Sequence, residues 1–144
     1  MKFPSKETVK MVREQYPQGT RVKLISMSDP YNTALTAGCR GSVSHIDDTA
    51  TVFVEWDCGS RLGCVYGEDS FRKLTRSELI KEQARAVTKL PDCPNMFSKN
   101  EVFEIAVEQG YNEFTDFIFT HSDLYGEFIL TGELPAEIDT EETI

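Results

Sequence analysis

The chain has 144 residues, 40% of them hydrophobic and 27% charged, with a formal net charge of −9. That length is enough for one ordinary domain or for two small ones sharing an interface. No long apolar run and no secretory leader is visible, which excludes a membrane span and predicts a soluble, cytoplasmic protein.

The charge is unevenly spread. Residues 1–74 carry a net +1 and residues 75–144 a net −10, and beyond residue 94 only Lys99 is basic. Phosphate contacts need Lys or Arg, so the second half is disfavoured for nucleic-acid binding. An acidic face of that kind steers a basic protein partner. The competing reading is a solvated helical surface followed by a disordered acidic tail.

In chain order, Pro4-Ser5 reads as a helix start with Ser5 as N-cap. Val9, Val12 and Tyr16 recur at helical spacing, and Pro17 ends the segment. A first strand is predicted over residues 20–25, followed by a long loop over residues 26–38. In a small barrel such a loop belongs to the binding surface, so Asp29 and Tyr31 are candidate partner contacts. An Asp-Pro turn capping the barrel is the alternative.

Residues 38–73 hold three short strand-like runs and the only tryptophan. Val52, Val54 and Trp56 alternate strictly, the mark of a strand with one buried face. A hairpin loop at Asp47-Asp48-Thr49-Ala50 would set Ile46 opposite Thr51, Val43 opposite Val54 and Cys39 opposite Cys58. A loop Cys58-Gly59-Ser60 would set Trp56 against Leu62 and Val54 against Cys64. Both registers put Val43, Val54, Trp56, Leu62 and Cys64 on one face. With the first strand and a last one starting at Phe71, five strands suit a small SH3-like antiparallel barrel.

Met27-Ser28-Asp29-Pro30-Tyr31, Gly38-Cys39-Arg40-Gly41-Ser42-Val43, Trp56-Asp57-Cys58-Gly59 and Tyr66-Gly67-Glu68-Asp69-Ser70-Phe71-Arg72-Lys73 carry a resemblance. The region resembles an uncharacterised SH3-like small-barrel family, a domain of unknown function, of Gram-positive phages and conjugative elements. That family's usual pattern has Asn where Cys58 stands, so a cysteine-based site would not be shared across it.

After Leu74 the period changes to helical. Thr75-Arg76-Ser77-Glu78 reads as a capping box, with Leu79, Ile80, Ala84, Val87 and Leu90 on one stripe. Leu90-Pro91-Asp92-Cys93-Pro94-Asn95 reads as a linker. Ser98-Lys99-Asn100-Glu101 is a second capping box, and Gly110 closes that helix. Asn112 is expected to cap the next, with Phe114, Phe117 and Ile118; Leu124, Tyr125, Phe128 and Ile129 form the last. Asn95-Met96-Phe97, Gly110-Tyr111 and Tyr125-Gly126-Glu127-Phe128-Ile129-Leu130-Thr131-Gly132-Glu133 resemble a second uncharacterised helical family carried by phages. The expected domains are 1–74 (helix plus barrel), 75–94 (connecting helix and linker), 95–133 (helical unit) and 134–144, a loose acidic tail.

A zinc site from Cys39, Cys58 and Cys93, with a His or Asp as fourth ligand, is one possibility. Reduced thiols with one cysteine filling the core is the other, because no paired short spacing occurs. His45 and His121 have no nucleophile or second acid at a catalytic spacing. Asp47-Asp48 and Glu68-Asp69 suit turn closure better than calcium binding. Phe119 falls off the stripe of Phe114, Phe117 and Ile118, and if exposed it can anchor a partner; an edge contact with the barrel is the competing explanation. With Phe119, Glu113, Asp116, Asp123 and Glu127 complete the candidate partner surface.

The sequence therefore predicts an α+β protein without catalytic residues or a required cofactor. The two resemblances imply a phage or mobile-element setting. The expected function is binding of a host protein with a basic surface, in concrete form anti-CRISPR inhibition of a Cas9-type effector. The alternative is a nucleic-acid-binding regulator, which would need Arg21, Lys23, Arg40, Arg61, Arg72 and Lys73 to converge on one face of the barrel.

Overall fold

In the computed structural model, which describes residues 4–26, 35–67 and 69–140, helix α1 (Lys6–Gln15) starts where the Ser5 hydroxyl accepts the Thr8 amide at 3.1 Å. This satisfies one of the orphan donors of the first turn. Val9 and Val12 face the core, and the Tyr16 ring lies 5.2 Å from that of Phe71.

Five strands follow: β1 (Arg21–Ser26), β2 (Arg40–Ile46), β3 (Thr51–Trp56), β4 (Gly63–Val65) and β5 (Ser70–Lys73). They form one antiparallel sheet in the order β4-β3-β2-β1-β5. In a flat sheet its two edges would stand about 19 Å apart, four spacings of ~4.8 Å. Yet β4 and β5 are joined by a tight turn, in which the Asp69 amide donates to the Val65 carbonyl at 3.0 Å. The Asp69 carboxylate accepts the Val65 amide in return at 2.9 Å. The sheet can meet that constraint only by curling until its edges approach, which makes it barrel-like.

Val43 faces Val54 as the sequence predicts. A bulge between Val43 and His45 then moves Ile46 opposite Val52 instead of Thr51. Cys64 faces Val52, not Val54. The hairpin is longer than expected there: the Trp56 amide closes on the Ser60 carbonyl at 3.1 Å, and the Trp56 indole donates to the Leu62 carbonyl at 2.8 Å. That slip is two residues, so it keeps every side chain on its face. Val43, Val54, Trp56 and Cys64 are buried, and Leu62 packs at the core's margin.

The chain divides into two compact units, Met1–Leu74 and Thr75–Ile144, and each has its own core. The second contains α2 (Arg76–Thr88), α3 (Lys99–Gln109), α4 (Asn112–Thr120), α5 (Ser122–Thr131) and the short α6 (Glu137–Thr140). Thr75 and Glu78 form the expected capping box. Ser98 caps nothing with its side chain, and Tyr111, not Asn112, occupies the N-cap position of α4. Far from being a tether, α2 buries Ile80, Ala84 and Val87 among Val102, Phe114, Phe117, Tyr125 and Phe128. Pro91 and Pro94 lie in a turn between two helices of the same unit, where Cys93 packs against that core. The tail is held as far as residue 140. Ile138 is buried, and the Asp139 carboxylate accepts the Ser77 amide at 2.7 Å, satisfying an orphan donor at the start of α2. Among the described residues, no helix is long and apolar enough to cross a membrane.

Candidate interaction surfaces

In the helical unit the apolar stripe sets what stays outside. Phe114, Phe117 and Ile118 are buried in α4, so the residue after Ile118 turns outward, and Phe119 is 75% exposed. Leu130, next to the core-packed Ile129 in α5, is also 75% exposed, and Val107 in α3 is 53% exposed. Each of these has an exposed carboxylate three residues earlier: Asp116, Glu127 and Glu104. Residues three apart on a helix share a face, so three helices repeat one pattern, an uncovered apolar group beside an acid. Asp123 lies exposed in the first turn of α5, on the stripe of Glu127 and Leu130.

Two of the predicted acids also serve the fold. Asp116 is ion-paired with Arg76 of α2, and Glu113 accepts the Gln83 side-chain amide at 2.7 Å. Leu130 and Val107 escape a sequence reading because Phe128-Ile129-Leu130 and Ile105-Ala106-Val107 look like continuous core. Only the helical phase, set by Phe128 and Ala106, singles them out. Asp29, Tyr31 and Glu68 lie outside the described residues.

The barrel presents a different outer face. Lys23 pairs with Arg40 on one side and with Arg72 on the other. Directly paired residues point to the same side of a sheet, so Arg40, Lys23 and Arg72 form a row across β2, β1 and β5. Arg21 lies two residues along from Lys23 on that face and grips the Asp57 carboxylate with two bonds, 3.0 and 2.6 Å. Lys73 pairs with Val22 and sits over the Tyr16 ring, so it belongs to the opposite face. Arg61 is in the β3–β4 loop. The outer face also carries a stack of His45 on Phe53, with ring centroids 4.6 Å apart.

Turn acids do structural work. Burial alone would raise the Asp47 carboxyl, but bonds from the Thr49 hydroxyl and from the Thr51 and Thr49 amides outweigh it and hold it below its ordinary value.

The four cysteines are free. Cys39 and Cys58 belong to the first unit and Cys93 to the second. Among the described residues, no group of three or more His, Cys, Asp and Glu side chains could hold a metal ion. Cys64 is fully buried in the barrel, and burial pushes its thiol up to about 12. The Cys93 thiol points to the Pro94 carbonyl at 3.2 Å.

Two family models match parts of this chain. Residues 5–74 match the family model described as Domain of unknown function (DUF4314), and residues 77–133 match Domain of unknown function (DUF5049). No curated protein and no solved structure matches the chain.

Proposed function

We propose that the protein acts by binding and not by catalysis, its helical unit engaging the basic surface of a nucleic-acid-handling protein. The observation that carries this is the repeated pairing of an exposed apolar side chain with a carboxylate three residues before it: Asp116 with Phe119, Glu127 with Leu130, Glu104 with Val107. Apolar groups left in water favour covering, and aromatic anchors supply most of the energy of protein interfaces. The surrounding acids, on a half-chain of net charge −10, select a cationic partner and speed encounter with it.

The mobile-element setting implied by the motif resemblance gives this reading a concrete form, inhibition of a Cas9-type effector. Such a protein binds nucleic acid in a positively charged channel, and an acidic surface competes for it. The test is target cleavage in vitro with the purified protein in excess. Inhibition that weakens as salt rises, and that drops at least about tenfold in potency with Phe119→Ala, is the expected result. Undiminished cleavage at saturating protein removes this target, and failure to bind any cationic nucleic-acid enzyme removes the reading.

A second reading has its own observation, the row of Arg40, Lys23 and Arg72 on the same outer face of the sheet as the His45–Phe53 stack. Cations with a stacking aromatic on an exposed sheet suit single-stranded nucleic acid. A gel shift at low and moderate salt decides it. Retention abolished by Lys23→Ala supports the row, and no shift at low salt removes it.

A further inference from the structure

Outside those surfaces, the end of the barrel carries two thiols, Cys58 exposed and Cys39 at the margin of the core. Cys58 is exposed at the tip of the β3–β4 hairpin. It is held there by a turn in which the Gly59 amide donates to the Trp56 carbonyl at 2.9 Å, with Gly59 at φ 95°. A positive φ of that size suits glycine, which has no Cβ to clash. Cys39 stands just before β2 and is fixed through its backbone in two directions. Its carbonyl accepts the Leu24 amide at 2.9 Å, and its amide donates to the Thr36 carbonyl at 3.1 Å. The Asp57 amide donates to the Arg40 carbonyl at 2.8 Å, carrying the β2–β3 ladder one step past the Gly41–Trp56 pair. One step further along that line lie Cys39 and Cys58, and each thiol shifts the titration of the other.

We propose that Cys58 and Cys39 are a redox modification site: a dithiol that a hydroperoxide oxidises to a disulfide, Cys58 attacking and Cys39 resolving. Opposed Cα atoms of an antiparallel pair stand about 4.5–5.5 Å apart, inside the roughly 4.4–6.8 Å that a disulfide spans. The two thiols also differ in the direction this chemistry requires. The Ser60 amide, and after it the neighbouring Cys39 thiol, hold the Cys58 thiol below its ordinary value. Burial, and after it the neighbouring Cys58, push the Cys39 thiol up.

In the first step the Cys58 thiolate attacks the hydroxyl oxygen of the peroxide. An S–O bond forms, the O–O bond breaks, and the leaving alkoxide takes a proton from solvent to depart as the alcohol. Cys58 is then a sulfenic acid. In the second, the Cys39 sulfur attacks the Cys58 sulfur. An S–S bond forms, the S–O bond breaks, and the hydroxide leaves with the Cys39 proton as water. Two thiols lose two electrons and the peroxide gains them. Cys64, buried and held protonated, and Cys93, in the other unit, take no part.

The test treats the full-length protein with hydrogen peroxide, quenches free thiols by alkylation, and maps peptides without reduction. The expected result is a Cys39–Cys58 linked peptide with Cys64 and Cys93 alkylated. Cys39→Ser should stop the reaction at a Cys58 sulfenic acid that dimedone captures. Cys58→Ser should leave Cys39 unreacted over the same period. A second measurement needs no variant: in the untreated protein, Cys58 should alkylate about tenfold or more faster than Cys64 at neutral pH. Linkage through Cys93, only disulfide-joined dimers, or Cys58 no faster than Cys64 each overturns the proposal.

Discussion

The two units use charge in opposite ways. In the barrel, acids are tied to the fold: Asp57 holds Arg21, Asp47 closes a turn, Asp69 closes another, and the net charge is close to zero. In the helical unit most acids face water, and the fold rests on an aromatic core of Phe114, Phe117, Tyr125 and Phe128. Alternating strands place every second residue against a neighbour on the next strand, so opposite charges meet in register. Short helices meet mainly along their apolar stripes, which leaves most of their outer faces to carry one sign. A surface suited to a partner is thus simpler to build on the helical half.

The largest expected effect tests whether these are separate structures. Phe117 is fully buried and makes edge-to-face contact with Phe128 at 5.4 Å. Phe117→Ala should cost about 3–5 kcal/mol. Helical circular dichroism should melt earlier, while fluorescence of Trp56, the only tryptophan and part of the barrel core, keeps its transition. If both signals shift together, the units unfold as one and the contrast fails.

The reciprocal change is Gly41→Ala. A Cβ at Gly41 would stand 2.5 Å from a Val54 methyl, 2.8 Å from the Glu55 carbonyl oxygen and 2.9 Å from the Trp56 Cα. Two of those neighbours are backbone and cannot swing away, so overpacking should cost about 1–3 kcal/mol. Trp56 fluorescence should now move first.

Alkali sharpens the comparison further. Burial raises the Cys64 thiol from 9.0 to about 12, with Asp69 adding to it; burial, then Cys93, raises the Tyr125 phenol from 10.0 to about 12. Both groups keep their protons longer when folded. Their contribution is complete below the unfolded values and drains as pH climbs toward about 12. A pH series of melts should therefore weaken the barrel from near pH 9 and the helical unit from near pH 10. Tyr125→Phe, which removes the hydroxyl that donates to the Met96 carbonyl, should abolish the second trend and leave the first. A first trend left undiminished by Cys64→Ser would break the assignment.

The same contrast explains what the sequence disclosed. Alternation and capping are local, so the Val52-Val54-Trp56 face and the Thr75–Glu78 box could be read directly. The place of Phe119 followed from the phase of Phe114, Phe117 and Ile118. The row of Arg40, Lys23 and Arg72 depends on β1 pairing with both β2 and β5, contacts that no local window contains. The two-residue slip of Cys64 depends on how Trp56 engages Leu62. Likewise the docking of residues 137–140 rests on Ile138 finding the helical core, an isolated apolar residue in an acidic stretch.

The smallest effect separates a fixed charge from a decorative one within the barrel itself. Arg13 pairs with Asp48 at 3.0 Å, with the side chains 50% and 98% exposed. At that exposure an ion pair contributes little, because water already solvates both partners and holding them together costs rotamer entropy. Arg13 also donates to the Ile46 carbonyl at 3.2 and 3.4 Å, tying α1 to the end of β2. Asp48→Ala should thus stay within about 0.5 kcal/mol of the parent. Arg13→Ala should lose about 1 kcal/mol, since it leaves that carbonyl without its donor. Raising salt should leave the difference between the two variants intact, because a bond to a neutral carbonyl is screened far less than an exposed pair. Equal costs that vanish together in salt would mean the ion pair, and not the carbonyl, anchors α1.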